Sequence, residues 1–309
     1  KSTVVKQRKD MSIIVLGTVA LDTVKTPYGK RTQMLGGSAA HFSMSARIFT
    51  DVHLVAIVGK DFPPKHTTFL KGKGIILESL IKSSGQTFKW EGVYEGDLNS
   101  ALTKKTELGV LLEFCPRVSA EQKKIKNIFL ANVDPDLQSS LLDYMCSPRL
   151  VGLDSMNYWI HNKRKSLLRI LKKVNIFVAN DREARDLTGE NNLVKAARSL
   201  RSCGPEMILI KKGEHGVLFY CDKFIFSLPA YPVDKVIDPT GAGDTFAGGF
   251  MGYLSAQKKL DEKAIKKAIV FGPIAASFNV EAFGMERTAK LAWKDLQVRL
   301  AKFKKIVLF

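Results

Sequence analysis

A carboxylate set beside a glycine-rich turn is the feature of this sequence whose spacing most suggests chemistry. It lies in the stretch Asp238-Pro-Thr-Gly-Ala-Gly-Asp-Thr-Phe-Ala-Gly-Gly-Phe250. An apolar, β-prone run holding Val233, Val236 and Ile237 comes before it. The small-residue turn of Thr240, Gly241, Ala242 and Gly243 leads into Asp244, after which Phe246, Phe250, Met251 and Leu254 recur at helical spacing. A glycine-rich turn at a helix start offers free amides, and the positive end of the helix dipole, to an anion. A carboxylate next to such an anion hole needs a reason. Phosphoryl transfer supplies one: the amides of Gly241, Ala242 and Gly243 hold the migrating charge while Asp244 takes the proton of the attacking hydroxyl. The plainer reading of the same residues is a tight loop with a capping Asp.

Other groups can be matched to such a reaction. Asn180 and Glu183 follow a β-prone run and share a face of the next helical turn. They can meet phosphate oxygens and a water-coordinated Mg²⁺, or form only a helix-capping pair. Lys211-Lys212-Gly213-Glu214-His215-Gly216 links two expected strands; Gly213 and Gly216 allow either a close approach to a ligand or a plain hairpin turn. Asp22, near the end of the first strand, and the pair Gly36-Gly37, before a small-residue helix, are suited to a polyol. His41 lies in that helix and is readable as an acceptor contact or as a packed residue. Familiar alternatives are missing: there is no Gly-x-x-x-x-Gly-Lys-[Ser/Thr], no Gly-x-Gly-x-x-Gly and no protein-kinase motif set.

In order, these motifs resemble those of the ribokinase-like (PfkB-type) carbohydrate kinases, from about residue 13 to residue 284. The resemblance implies a three-layer α/β/α sandwich with a central, mostly parallel sheet and a small β lid. It implies transfer of the γ-phosphoryl group of ATP, with Mg²⁺, to a hydroxyl of a sugar or sugar-like alcohol. Asp244 is then the catalytic base, and Gly241, Ala242 and Gly243 are the anion hole. Asn180, Glu183, Lys211, Gly213, Gly216 and Asn279 lie on the nucleotide side, with Glu183 acting on Mg²⁺ through water. Asp22, Gly36 and Gly37 bind the acceptor. The family's usual Asn is His41 here, which argues against a ribose kinase proper. Some members bind a monovalent cation such as K⁺ near the residues matching Asp238 and Thr240, and lid strands often pair two subunits into a homodimer. A nucleoside kinase of the same family is the alternative; it calls for an aromatic surface on the lid, with Phe88, Trp90 and Tyr94 as candidates. A basic nucleic-acid-binding protein on a kinase-like scaffold is a remote third reading, opposed by the intact Asp244 motif.

The elements needed to position these groups are legible in the apolar pattern. Residues 12–22, 35–84 and 118–309 read as an α/β core whose strands alternate with helices, which predicts a parallel sheet covered on both faces. Residues 23–34 and 85–117 read as a lid, built from a hairpin and from strands near 87–94 and 106–114. Residues 1–11 are expected to be disordered. Helices are expected at 120–126, 135–145, 163–173, 182–188, 193–202, 244–256, 261–278 and 288–303.

At 309 residues the chain can hold one large domain and a small appendage. Its 45% hydrophobic and 25% charged content is that of a globular protein, and no apolar run reaches the roughly 18–20 residues of a membrane helix. The formal charge of +18 suits nucleic acid, a membrane surface or an anionic substrate. The basic residues are scattered on helix faces without interleaved aromatics, so a nucleic-acid partner is not expected. Cys115, Cys146, Cys203 and Cys221 form no Cys-x-x-Cys pair and read as reduced thiols, implying a cytoplasmic protein.

Overall fold

The computed structural model describes residues 11–96 and 98–308. The expectation of disorder for residues 1–10 lies outside these. Met11 belongs to the fold, since Thr50 Oγ1 donates to its carbonyl at 2.6 Å.

The strands are β1 (Ile13–Leu16), β2 (Ala20–Thr26), β3 (Gly29–Gly36), β4 (Val52–Val58), β5 (Ile76–Lys82), β6 (Lys89–Tyr94), β7 (Ala101–Glu107), β8 (Asn127–Leu130), β9 (Leu150–Asp154), β10 (Ile176–Asn180), β11 (Met207–Lys211), β12 (Val217–Tyr220) and β13 (Ile225–Leu228). Nine of them form one sheet in the order β13-β12-β11-β10-β9-β8-β1-β4-β5. From β5 to β11 the neighbours are parallel, and β12 and β13 close one edge antiparallel. Its central strands are apolar on both faces: Ile13 and Val15 of β1 enter one core while Ile14 and Leu16 enter the other. That is the pattern of a sheet covered twice.

The helices are α1 (Ser38–Ala46), α2 (Pro64–Gly72), α3 (Pro135–Tyr144), α4 (Asn157–Asn162), α5 (Arg164–Leu171), α6 (Asp181–Thr188), α7 (Leu193–Ser202), α8 (Ala242–Ser255), α9 (Glu262–Asn279) and α10 (Trp293–Val307). Buried residues of α1, α8, α9 and α10 share one core, and those of α3, α5, α6 and α7 the other. Gly248 and Gly252 leave α8 so bare that a methyl group at either would meet α1 within 2.8 Å. This close seating fixes where α8 begins, and so where Asp244 stands.

The second sheet has the order β3-β2-β6-β7. It takes in Ala20–Thr26 whole, so Asp22 and residues 35–36, assigned above to the core, stand on the small sheet. The chain leaves the main sheet at once after Gly17. Other boundaries also differ. The strand expected at 106–114 ends at Glu107, because Gly109 (φ +50) turns the chain into the 3₁₀ segment Gly109–Glu113. The helix expected at 120–126 is only the 3₁₀ turn Gln122–Lys124, its buried Gln122 held by Ser79 at 2.7 Å. The helix expected from 288 starts at Trp293, after Leu291 has turned inward. The β-prone run near 233–237 is irregular, and β5, β13 and α4 were not foreseen.

Candidate active site

The carboxyl ends of the parallel strands converge with the start of α8, where open α/β sheets bind ligands. Gly241 is the N-cap of α8 with φ +73, a left-handed conformation that an L side chain adopts at a cost. A methyl group there would lie 2.3 Å from His41 Nδ1, so the imidazole is packed flush against this backbone. The amide of Ala242 donates to the Pro239 carbonyl at 3.1 Å, which takes it out of the expected anion hole. The amides of Gly241 and Gly243 find no acceptor among the described residues.

Side chains brace this turn from below. Asp238, fully buried, accepts from the Thr240 amide (2.9 Å) and the Gly284 amide (2.8 Å). Asn279 Nδ2 donates to the Thr240 carbonyl at 2.8 Å, and its Oδ1 accepts from Thr245 Oγ1 at 2.9 Å. Two expectations change here. Asn279 is 1% exposed, so it is a brace of the turn rather than an open nucleotide contact. His41 is 2% exposed, so it props Gly241 rather than facing an acceptor; its Nδ1 has no partner among the described residues, and burial lowers its proton affinity.

Asp244 stands in the first turn of α8, half-buried. Desolvation, and next the charge of Asp154, push its pKa up to about 7, against the opposing pull of Lys211. A base poised near neutrality suits proton abstraction from a hydroxyl. Asn180 ends β10 and Glu183 lies one turn into α6. They form a reciprocal capping box, each side chain on the other's amide at 2.7 Å. Glu183 is also driven up to about 7, by burial first and then by Asp154. Lys211 ends β11 and is ion-paired to Asp154 of β9 at 2.9 Å. Sequence reading passed over Asp154. Its only signal was a carboxylate at the end of an apolar run.

No group of three or more His, Cys, Asp or Glu that could cage a metal occurs among the described residues. What the site does hold is an excess of carboxylate, from buried Asp22, Asp154, Glu183 and Asp238 and half-buried Asp244, against the ammonium of Lys211. Such a donor set fits a divalent cation carried largely by phosphates and waters.

The small sheet closes the other side. Asp22 is opposite Trp90 in register, so Asp22, Trp90, Gly92 and Tyr94 share a face. Tyr94 is buried and receives a hydrogen bond from Thr240 Oγ1 at 3.3 Å, which places that face over the turn. Asp22 lies against Gly36, accepts from the Gly37 amide, and is pushed up to about 7 by burial, with Asp238 and Asp244 adding to the effect. The Trp90 indole lies along β6 across Gly92, where a methyl group would come within 2.1 Å of the ring, and its Nε1 donates to Thr103 Oγ1 at 3.2 Å. The loop between β6 and β7 reaches the turn that starts at Gly213, with Asn99 Nδ2 donating to Glu214 Oε1 at 3.4 Å.

A carboxylate of raised proton affinity, two amides without an acceptor among the described residues and a small sheet over them suit a phosphotransferase acting on a hydroxyl. Residues 12–290 match the pfkB family of carbohydrate kinases, and the chain belongs to that family. It is similar to a cytidine kinase of Thermococcus kodakarensis, 32% identical over 258 residues that cover 82% of this chain and 91% of that one. Its fold is that of the nucleoside kinase of Methanocaldococcus jannaschii (TM-score 0.75, 22% identity, 94% and 98% of the two chains). It is also that of a ribokinase II of E. coli solved with ATP and Mg²⁺ (TM-score 0.78, 15% identity, 94% and 99%).

Proposed function

We propose that this kinase phosphorylates a hydroxyl of a nucleoside. The observation that carries the reading is the Trp90 indole, laid across Gly92 on the sheet face that also bears Asp22. The Asp22 carboxylate suits the hydroxyls of a ribose, and a partly exposed indole beside it suits the flat base attached to that ribose. A free sugar has no group for that surface. The cytidine kinase relative supports the same choice.

The phosphoryl donor is ATP, flanked by Asn180, Gly213 and Gly216. Mg²⁺ would be held by the phosphates and, through water, by Glu183, and it supplies charge neutralisation on the transferring group. Asp244 accepts the proton of the acceptor hydroxyl. The amides of Gly241 and Gly243 stabilise the charge on the migrating group; one such donor is typically worth about 3–4 kcal/mol of barrier. The lid keeps out water that would compete as acceptor.

K⁺ beside Asp238 belongs to the proposal because, among the described residues, that buried carboxylate accepts from two amides and pairs with no cation. Activity in K⁺ should exceed activity in tetramethylammonium. A homodimer paired through β7 also belongs to it, and light scattering tests it.

The direct test of the acceptor class is tryptophan fluorescence. Cytidine or another nucleoside should quench it saturably, with the quench lost in Trp90→Phe. A quench by ribose of equal size, or none by any nucleoside, would overturn the reading.

A further inference from the structure

The carboxyl ends of β9 and β11 bring together Asp154 and Lys211; resemblance puts Lys211 on the nucleotide side, but neither residue has a role in the chemical step. Lys211 Nζ is 2.9 Å from Asp154 Oδ2, and Asp154 Oδ1 accepts from the Ser155 amide at 2.8 Å. The carboxylate is thus fixed from its own loop, while the lysine is held only at the end of a flexible stem. The pair is well buried, at 17% and 5% side-chain exposure. An isolated buried ion pair contributes little net stability, because desolvation offsets its attraction. Its position suggests another use. A methyl group at Gly243 would lie 3.1 Å from Nζ, so the ammonium already stands beside one of the two free amides of the anion hole.

We propose that Asp154 and Lys211 form a cation hand-off. The Lys211 ammonium rests on Asp154 in the free enzyme and turns onto the phosphoryl oxygens as that group enters the turn of Gly241 and Gly243. The proposal rests on the reading of Asp244 as the base of a phosphoryl transfer. In the step, the bond from acceptor oxygen to γ-phosphorus forms and the bond from γ-phosphorus to the bridging oxygen breaks. The electron pair leaves with ADP, and the hydroxyl proton goes to Asp244. Lys211 stays protonated throughout and moves no proton.

The surrounding charges agree with this. Asp154, Glu183 and Asp244 all act to keep the Lys211 ammonium charged in spite of its burial. Asp154 raises the proton affinity of Asp244, and Lys211 lowers it. Removing either partner therefore shifts the base in opposite directions, and the fluoride comparison below separates a moving lysine from a static pair. Lys211 is then a catalytic residue, and Asp154 a positioning residue acting through it.

The experiment compares Lys211→Met, Lys211→Arg and Asp154→Asn with the unaltered enzyme. It measures kcat, KM for ATP, the pH profile of kcat/KM, and the affinity for ADP with and without aluminium fluoride, a mimic of the migrating group. Lys211→Met should lower kcat about 10²–10³-fold with KM for ATP changed little, the size expected for one lost transition-state donor. Its acid limb should move to higher pH, and that of Asp154→Asn to lower pH. Lys211→Arg, which keeps the charge, should retain more activity than Lys211→Met. ADP with fluoride should weaken about 10²-fold in Lys211→Met while ADP alone does not. A Lys211→Met enzyme within threefold of normal kcat, acid limbs that stay put, or equal weakening of ADP with and without fluoride overturns the hand-off. Failure of the proposed function looks different: the unaltered enzyme releases ADP with no nucleoside, while the fluoride comparison still decides the role of Lys211.

Discussion

At the scale of single residues, Asp244 is the group on which the account turns. It lies where burial and Asp154 raise its proton affinity to about 7. Asp244→Asn keeps the shape and removes the base, so kcat/KM should fall about 10²–10⁴-fold. In the unaltered enzyme the rate should drop as pH falls below about 7, because the base is then protonated. The stability sign runs the other way. The folded protein holds this proton between the ordinary value near 3.8 and about 7, where the unfolded chain has lost it, so stability declines as pH rises through that window. Asp244→Asn should therefore melt higher than the unaltered protein at pH 8, with the gain shrinking toward pH 5. Calorimetry that finds a lower melting temperature at pH 8 would contradict the assignment. The turn at Gly241 and the helix that carries Asp244 were legible in sequence, because a glycine turn before an amphipathic segment marks a helix start. Asp154 was not, because it becomes meaningful only when β9, β10 and β11 align its strand end with that of Lys211. Asn279 was read as a nucleotide contact, and His41 as either an acceptor contact or a packed residue. Sequence cannot tell a polar side chain that faces a cleft from one that props the backbone beneath it.

At the scale of elements, the start of α8 and the face of the small sheet do the positioning. The alternation of residues 87–94 was enough to suggest a half-exposed strand, but not which of its aromatics faces the cleft. Register decides that: Trp90 lies opposite Asp22, and Tyr94 reaches Thr240 from a position 146 residues earlier in the chain. Gly92 carries the indole, so Gly92→Val should push Trp90 out of place. Base stacking on an aromatic ring is worth about 1–3 kcal/mol, so KM for the nucleoside should rise about 5–150-fold with KM for ATP unchanged. Steady-state kinetics check this, and an unchanged nucleoside KM would remove Trp90 from the site. The lid boundary was misjudged at Asp22 because residues 12–22 are nearly continuous in apolar character. A strand that crosses to another sheet after one glycine looks like one that continues.

At the scale of the whole molecule, the main sheet with its two helical layers was readable from the repeat of strand and helix, since parallel strands buried on both faces leave a strong apolar signal. The molecule's charge of +18 has no cluster of its own, yet it sets a field. ATP is a polyanion, so kcat/KM for ATP should fall several-fold between low salt and half-molar salt, while KM for an uncharged nucleoside stays level. A flat ATP response would mean that the scattered charge is only a solvated surface. The central claim, a nucleoside acceptor read from Trp90 and Asp22, is tested most directly by ADP release across matched sets of nucleosides, free sugars and phosphosugars. The account predicts turnover with nucleosides at a kcat/KM at least tenfold above that of any sugar. Rapid turnover of a free sugar or phosphosugar with nucleosides idle would contradict it.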